Sequence, residues 1–326
     1  MNVLYVIGNG FDKHHDINSG YDDFYKWLEE NGHYEVLSEF EDIYGGGMEW
    51  WHELEQNLGE IDMSEYACNQ ASENYPNFAD DAYRDRDLFV AEYAVENDFG
   101  GAIQLFQNSF GEWIEGLNPP NENNKINLKK LDSFFINFNY TRTLEDIYRI
   151  PSRMVWHPHG AVGDVNTEYV LGHGKSRQQL EQELEQQEPQ PPVELDDDEL
   201  QEFYASNSDL VIDRAKDATL SAVASLRKPV AKIIEQNKEL WSRLMDVREI
   251  YILGFSFAEV DEPYLAKIVE NIHKDSVRWI ISQFSKTDIE RIHKFIEKYN
   301  INPDKVRICT LSELQNEKQM EIQFEQ

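Results

Sequence analysis

A chain of 326 residues that is 40% hydrophobic and 12% aromatic has enough apolar material for a substantial core, in one large domain or two small ones. Asp+Glu 62 against Lys+Arg 30 gives a formal net charge of -32, which repels a phosphate backbone and an anionic membrane over most of the surface and argues against direct nucleic-acid binding. No apolar run approaches the roughly 20 residues of a membrane-spanning helix.

The first predicted element is a strand, Val3-Leu4-Tyr5-Val6-Ile7, an unbroken apolar run of the kind covered on both faces in a parallel sheet. It stops on Gly8-Asn9-Gly10, a turn suited to close approach of a phosphate, and a helix beginning near Phe11 to Lys13 would point its N-terminal N–H groups at an anion. Lys13 stands where a G-x-G-x-x-G fingerprint needs its third glycine, so the dehydrogenase form of the motif is disfavoured and an ordinary strand-to-helix turn remains an alternative. From Tyr21 to Leu58 aromatic and aliphatic residues recur at helical spacing between acidic ones, with a hinge at Gly45-Gly46-Gly47. Core packing is the plain account of these aromatics. Tyr66 to Asn97 shows no clean period and reads partly as loop, while Ala102 to Leu117 is a helix ended by Pro119 and Pro120.

Strand character returns at Phe134 to Phe138, stops on Asn139-Tyr140-Thr141, and is followed by a short helix around Leu144 to Tyr148. Met154 to Gly160 predicts a third strand and Tyr169 to Leu171 a short fourth, ending respectively in His157-Pro158-His159-Gly160 and Gly172-His173-Gly174. Gln178 to Glu202 is so rich in Glu, Gln, Pro and Asp that it reads as an exposed, disordered insertion. Helices are expected over Asp217 to Leu226 and Pro229 to Met245, then a strand at Glu249 to Leu253 running into Gly254-Phe255-Ser256, and a helix over Tyr264 to Ile272 after Asp261. Strands at Val277 to Ser282 and Val306 to Cys309 flank a helix at Asp288 to Tyr299.

The fold class expected is therefore α/β: a Rossmann-like, largely parallel sheet in a single domain over 1-326, with a helical insertion at about 20-130 and an acidic and helical one at about 176-246. In such a sheet ligands sit outside the carboxyl ends of the strands, so the punctuated ends are expected to line one crevice. Cys68 and Cys309 lie far apart without a C-x-x-C, which argues against a disulfide framework or zinc ribbon. The N terminus passes straight into a strand pattern, and a cytoplasmic location is expected.

Taken in order, Gly8-Asn9-Gly10-Phe11-Asp12, NFNYTRTLE from Asn137 to Glu145, HPHG from His157 to Gly160, GHG from Gly172 to Gly174 and GFSFAEVD from Gly254 to Asp261 resemble the AbiH family of bacterial abortive-infection proteins. That resemblance covers essentially the whole chain and implies a role in defence against bacteriophage. The same series is similar, more distantly, to the sirtuin-like nucleotide-binding fold of defence enzymes that destroy NAD. This second resemblance implies NAD or a related nucleotide as substrate or ligand, with no metal, and names the residues that would serve it. Gly8 and Gly10 would hold the phosphates, with Asn9, Phe11 and Asp12 also counted in the binding site. Asn139 and His159 would flank the nicotinamide ribose as the catalytic pair. Tyr140, His157, Gly160, His173, Gly254, Ser256 and Asp261 would complete the binding site. A second copy of the chain or a phage-derived trigger would be the further partner. Asn9 departs from the small residue usual in sirtuins, and the cysteine-rich zinc module of the deacetylases is absent, so protein deacetylation is not implied.

On chemical grounds, cleavage of a nicotinamide–ribose bond needs a polar group to fix ribose and water, which suits Asn139, and a base titrating near neutral pH, which suits His159. An Asx turn at Asn139, a capped strand end at His159 and helix caps at Asp12 and Asp261 are the structural alternatives. Two other classes stay open. His14, His15, His157, His159 and His173 with Asp12 suit a divalent metal for phosphoester hydrolysis. The crevice is equally compatible with a nucleotide sensor or partner-binding module that performs no chemistry.

Overall fold

A computed structural model describes residues 1–164, 169–192 and 195–316. The chain divides into two compact units, one formed by Met1–Phe24, Gly111–Leu171 and Pro229–Gln326, the other by Tyr25–Phe110 and Gly172–Lys228.

The first unit holds the sheet. Its strands are β1 (Val3–Ile7), β2 (Ser133–Asn137), β3 (Val155–Trp156), β4 (Glu249–Leu253), β5 (Arg278–Ser282) and β6 (Val306–Cys309). They are ordered β3-β2-β1-β4-β5-β6, and every pairing is parallel. This is the strand order of the doubly wound dinucleotide-binding sheet, with its reversal between β1 and β4. The fold is therefore α/β and Rossmann-like in order.

Because successive side chains alternate across a strand, β1 supplies both faces of the core. Leu4 and Val6 pack with Ile136, Ile252 and Trp279 under Leu240, Tyr264, Ile268 and Phe295. Val3, Tyr5 and Ile7 pack with Phe135 under Phe11, Leu144, Tyr148 and Ile126. Tyr5 is opposite Phe135 in β2 and Tyr251 in β4, and its ring stacks on both, at 4.6 Å and 4.7 Å between centroids. Burial of each such large side chain contributes about 1.5–3 kcal/mol, which fixes the register because a one-residue slip would exchange the two faces.

The predicted third strand is shorter than Met154 to Gly160. Pairing stops at Trp156, because at His157 the chain turns back, with the Gly160 N–H donating to the His157 carbonyl at 3.2 Å and Gly160 at φ 86°. Tyr169 to Leu171 forms no strand: the Val170 N–H donates to the His159 carbonyl at 2.9 Å, and the Tyr140 hydroxyl donates to the Val170 carbonyl at 3.0 Å.

The second unit is helical. Tyr66 to Asn97, read partly as loop, contributes the helix Met63–Glu73 and the start of the long helix Val90–Glu115. The acidic stretch from Gln178 to Glu202, read as disordered, holds two helices, Arg177–Gln187 and Asp197–Asn207, each opened by a capping box, Ser176 with Gln179 and Asp196 with Glu199. Leu180 is fully buried and ties the first of them down. Among the described residues no helix is long and apolar enough to cross a membrane.

Candidate functional site

With all six strands parallel, the segments that follow β1, β2, β3 and β4 emerge along one edge of the sheet. The turn after β1 is built by close contact. A Cβ on Gly8 would stand 2.6 Å from Phe255 Cα, and one on Gly254, which is at φ +64°, would stand 2.1 Å from the Phe11 nitrogen. Gly8, Gly10 and Gly254 therefore let the β1 and β4 turns pack backbone to backbone at the point where the strand order reverses. Their amides serve that packing. The Gly8 N–H donates to the Leu253 carbonyl, Gly10 to Gly254 and Phe11 to Gly8, at 3.0, 2.8 and 2.9 Å. These three donors, expected for phosphate, are directed into protein carbonyls. Asn9 is exposed and accepts from the Ser19 hydroxyl at 2.5 Å, while the Phe11 ring lies in the core against His15 and Tyr148.

Asp12 is fully buried and caps no helix. Its carboxylate accepts from the Thr141 and Thr143 hydroxyls at 2.5 Å and 2.9 Å, and the Asn139 side chain adds a further hydrogen bond. Burial pushes its pKa up to about 6, against the opposing pull of these three donors. Asn139 thus joins the turn after β2 to the helix after β1: its Nδ2 also donates to the Gly8 carbonyl at 3.2 Å.

The two histidines of HPHG face different partners. His157 points Nδ1 at the Asn139 carbonyl at 3.0 Å and Nε2 at Glu145 Oε1 at 3.2 Å. Glu145 Oε1 also receives Arg142 Nη1 at 3.3 Å, and Arg142 reaches on to Asp164 and to the Val162 carbonyl. His159 instead lies among the rings of Phe138, Tyr140 and Tyr264, with Nε2 3.3 Å from Asp261 Oδ1. That pair is within ion-pair distance but is not aligned as a hydrogen bond, and His159 Nε2 has no other hydrogen-bond partner among the described residues. Asp261 sits at the N-cap of the helix Glu262–Glu270 but makes no side-chain cap hydrogen bond.

The structure thus joins Gly8, Gly10, Asp12, Asn139, His157 and Gly254 in one continuous set of contacts, with His159 and Asp261 beside Tyr140 and Phe138. Gly160 forms the turn between them and Ser256 is exposed, its carbonyl accepting from Arg291 Nη1 at 3.2 Å. His173 is placed elsewhere. It belongs to the second unit, where Nε2 donates to the Val223 carbonyl at 2.8 Å and Nδ1 accepts the Lys175 N–H at 3.1 Å, so both ring nitrogens are committed to backbone. Burial lowers its pKa, consistent with a neutral structural ring. Reading the sequence missed Thr141, Thr143 and Glu145, although all three lie inside the quoted NFNYTRTLE stretch. The signal available was the run of short hydroxyl residues immediately after a strand end. Of the histidines considered for a metal, His15 is held by the Phe11 carbonyl and the Tyr148 hydroxyl, and burial lowers its pKa to about 4. Among the described residues no three His, Cys, Asp or Glu stand together as a metal set.

The family model for bacteriophage abortive infection AbiH matches residues 4–283. The chain belongs to the AbiH family. The matched span runs from β1 into the turn after β5 and so contains every segment of the candidate site in this AbiH protein. Membership supports a role in abortive infection by phage. No curated protein and no solved structure matches the chain.

Proposed function

We propose that this AbiH-family protein defends against phage by binding NAD or a related nucleotide at the carboxyl edge of its sheet and, once triggered, hydrolysing the nicotinamide–ribose bond. The observation that carries this reading is the buried His159–Asp261 pair, 3.3 Å apart, at the strand ends of a sheet ordered like a dinucleotide-binding one. The ordered likeness of its motifs to the sirtuin-like enzymes that destroy NAD adds support. With Asp261 beside Nε2, the ring proton is favoured on that nitrogen, which leaves Nδ1 to accept one. In the reaction proposed, a water loses a proton to His159 as its oxygen bonds to the ribose carbon. The glycosidic C–N bond breaks, and nicotinamide leaves as a neutral molecule with the bonding electron pair. Asn139 positions the sugar. Only 3% of His159 and 5% of Asn139 is exposed, so in this reading the site opens as the nucleotide enters.

The test is release of free nicotinamide from NAD by the purified protein, alone and with extract of phage-infected cells. His159→Gln should lower the rate about a hundredfold to ten-thousandfold. Phage protection retained by a folded His159→Gln variant, with cellular NAD constant throughout infection of the wild type, would overturn the reading. The same burial of His159 and Asn139 favours a second reading, a nucleotide sensor without catalysis, for which NAD binds but releases no nicotinamide.

A further inference from the structure

Glu145 lies on the short helix Thr143–Asp146, which cannot turn it outward because Thr143 is bonded to Asp12 and Leu144 is buried in the core. Its side chain is 10% exposed, and its two oxygens are used unequally. Oε1 receives both Arg142 Nη1 and His157 Nε2, whereas Oε2 is buried and has no hydrogen-bond partner among the described residues. His157 Nδ1 faces a carbonyl oxygen and its Nε2 faces Glu145 Oε1, so both ring nitrogens are directed at protein oxygens. The Arg142 guanidinium donates to the same Oε1. Oε2 is left as a buried acceptor with nothing donating to it among the described residues, an arrangement that costs stability unless a donor is supplied.

We propose that Glu145 is a ligand-binding carboxylate, whose Oε2 receives a hydroxyl of the bound molecule while Arg142 and His157 hold Oε1. A neutral hydroxyl suits the place better than an ammonium, because the cationic Arg142 already flanks the carboxylate and repels a positive donor. The choice of a sugar hydroxyl, the ribose of a nucleotide, rests on the nucleotide reading, whereas the unpaired acceptor does not. His157 is a positioning residue for Glu145.

The experiment is co-crystallisation with NAD and, separately, with D-ribose, joined to calorimetric binding of both probes by the wild type and Glu145→Gln. A sugar hydroxyl within hydrogen-bond distance of Oε2 is expected, and Glu145→Gln should weaken binding about tenfold without lowering the melting temperature. D-ribose on Oε2 with NAD absent from the sheet edge would refute the nucleotide reading and leave this inference standing. NAD bound at the edge while Oε2 meets only a water or a protein donor would overturn the inference and spare the nucleotide reading. Neither probe on Oε2, or unchanged affinity in the variant, would also overturn it.

Discussion

His159 and Asp261 face each other at 3.3 Å although they follow β3 and β4, strands that β2 and β1 separate within the sheet. The contact is made over the face carrying Phe138 and Tyr264, whose rings meet each other and both lie against the imidazole. A carboxylate that only orients a base should affect turnover and spare binding. Asp261→Asn is therefore expected to lower kcat for NAD cleavage by at least about tenfold with KM unchanged, and Asp261→Glu to restore part of it. Steady-state kinetics on the three proteins checks this, and a matching rise in KM would point to a role in binding instead.

Asp12 makes stability depend on pH in an uncommon direction. Its pKa is about 6 in the folded protein against 3.8 as the model value, so between these values the folded state binds more protons than the unfolded one. The contribution is fully favourable below pH 3.8 and is lost as pH rises to about 6, by up to about 3 kcal/mol. Asp12→Asn cannot ionise; its single oxygen accepts from one threonine, and the other hydroxyl must turn to accept from the amide. Relative to the variant, the wild type should lose melting temperature between pH 4 and pH 6, and the difference should stay constant above pH 7. Parallel melting curves across this range would refute the assignment.

Gly254 and Gly163 share a left-handed backbone, at φ +64° and +79°, and differ in what surrounds them. Gly163→Ala meets nothing within 4 Å and should cost only the backbone strain, about 1–2 kcal/mol. Gly254→Ala drives a methyl to within 2.1 Å of the Phe11 nitrogen and should cost several kcal/mol more or prevent folding. Urea denaturation of the two variants separates close packing from conformational freedom, and equal losses would show that the contact is dispensable.

In the helical unit, Lys228 is buried to its Nζ, which pairs with Glu55 at 2.8 Å. Lys228→Ala would leave the Glu55 carboxylate, 15% exposed, without this partner and should destabilise the protein by about 3–5 kcal/mol. Replacing both residues together, as Lys228→Met with Glu55→Leu, should recover most of the loss. Denaturation midpoints of the single and double variants measure this, and a double variant no better than the single would contradict it.

The strands were legible because β1, β2, β4 and β5 are covered on both faces and so appear as continuous apolar runs bounded by turns. β3 was over-read, since a Met-Val-Trp run suggests more strand than the His157–Gly160 turn permits. The helices at Arg177–Gln187 and Asp197–Asn207 were hidden by composition: their polar faces dominate, and the signals that mark them are single caps at Ser176 and Asp196. At the site, the glycines announced a close approach but not whose backbone approaches, and Gly8 and Gly10 meet the β4 turn. His173 resembled His159 in sequence because each is followed by glycine. What separates them is the neighbouring chain: the His173 N–H and carbonyl bond Leu226 and Lys228, which local spacing does not encode. Glu145 gave no signal because a Glu in a short helix is ordinarily solvated, and here the bonded Thr143 and packed Leu144 just before it hold it inward.

β1 lies at the centre of the sheet and precedes both of its neighbours in the chain, an order that bears on biosynthesis. Val3–Ile7 leaves the ribosome well before its two neighbours, Ser133–Asn137 and Glu249–Leu253, which emerge only after long intervening segments. At roughly 5–20 residues per second, this entirely apolar strand waits many seconds with both hydrogen-bonding edges bare. Pairings so distant in sequence also pay their loop-closure entropy before gaining any contact, which makes the sheet a late and slow event. A chain cut short before Glu249 would keep β1 open along one edge, and an open apolar edge invites pairing with other copies. Until translation has passed β4, the nascent chain therefore carries this strand with an unpaired edge.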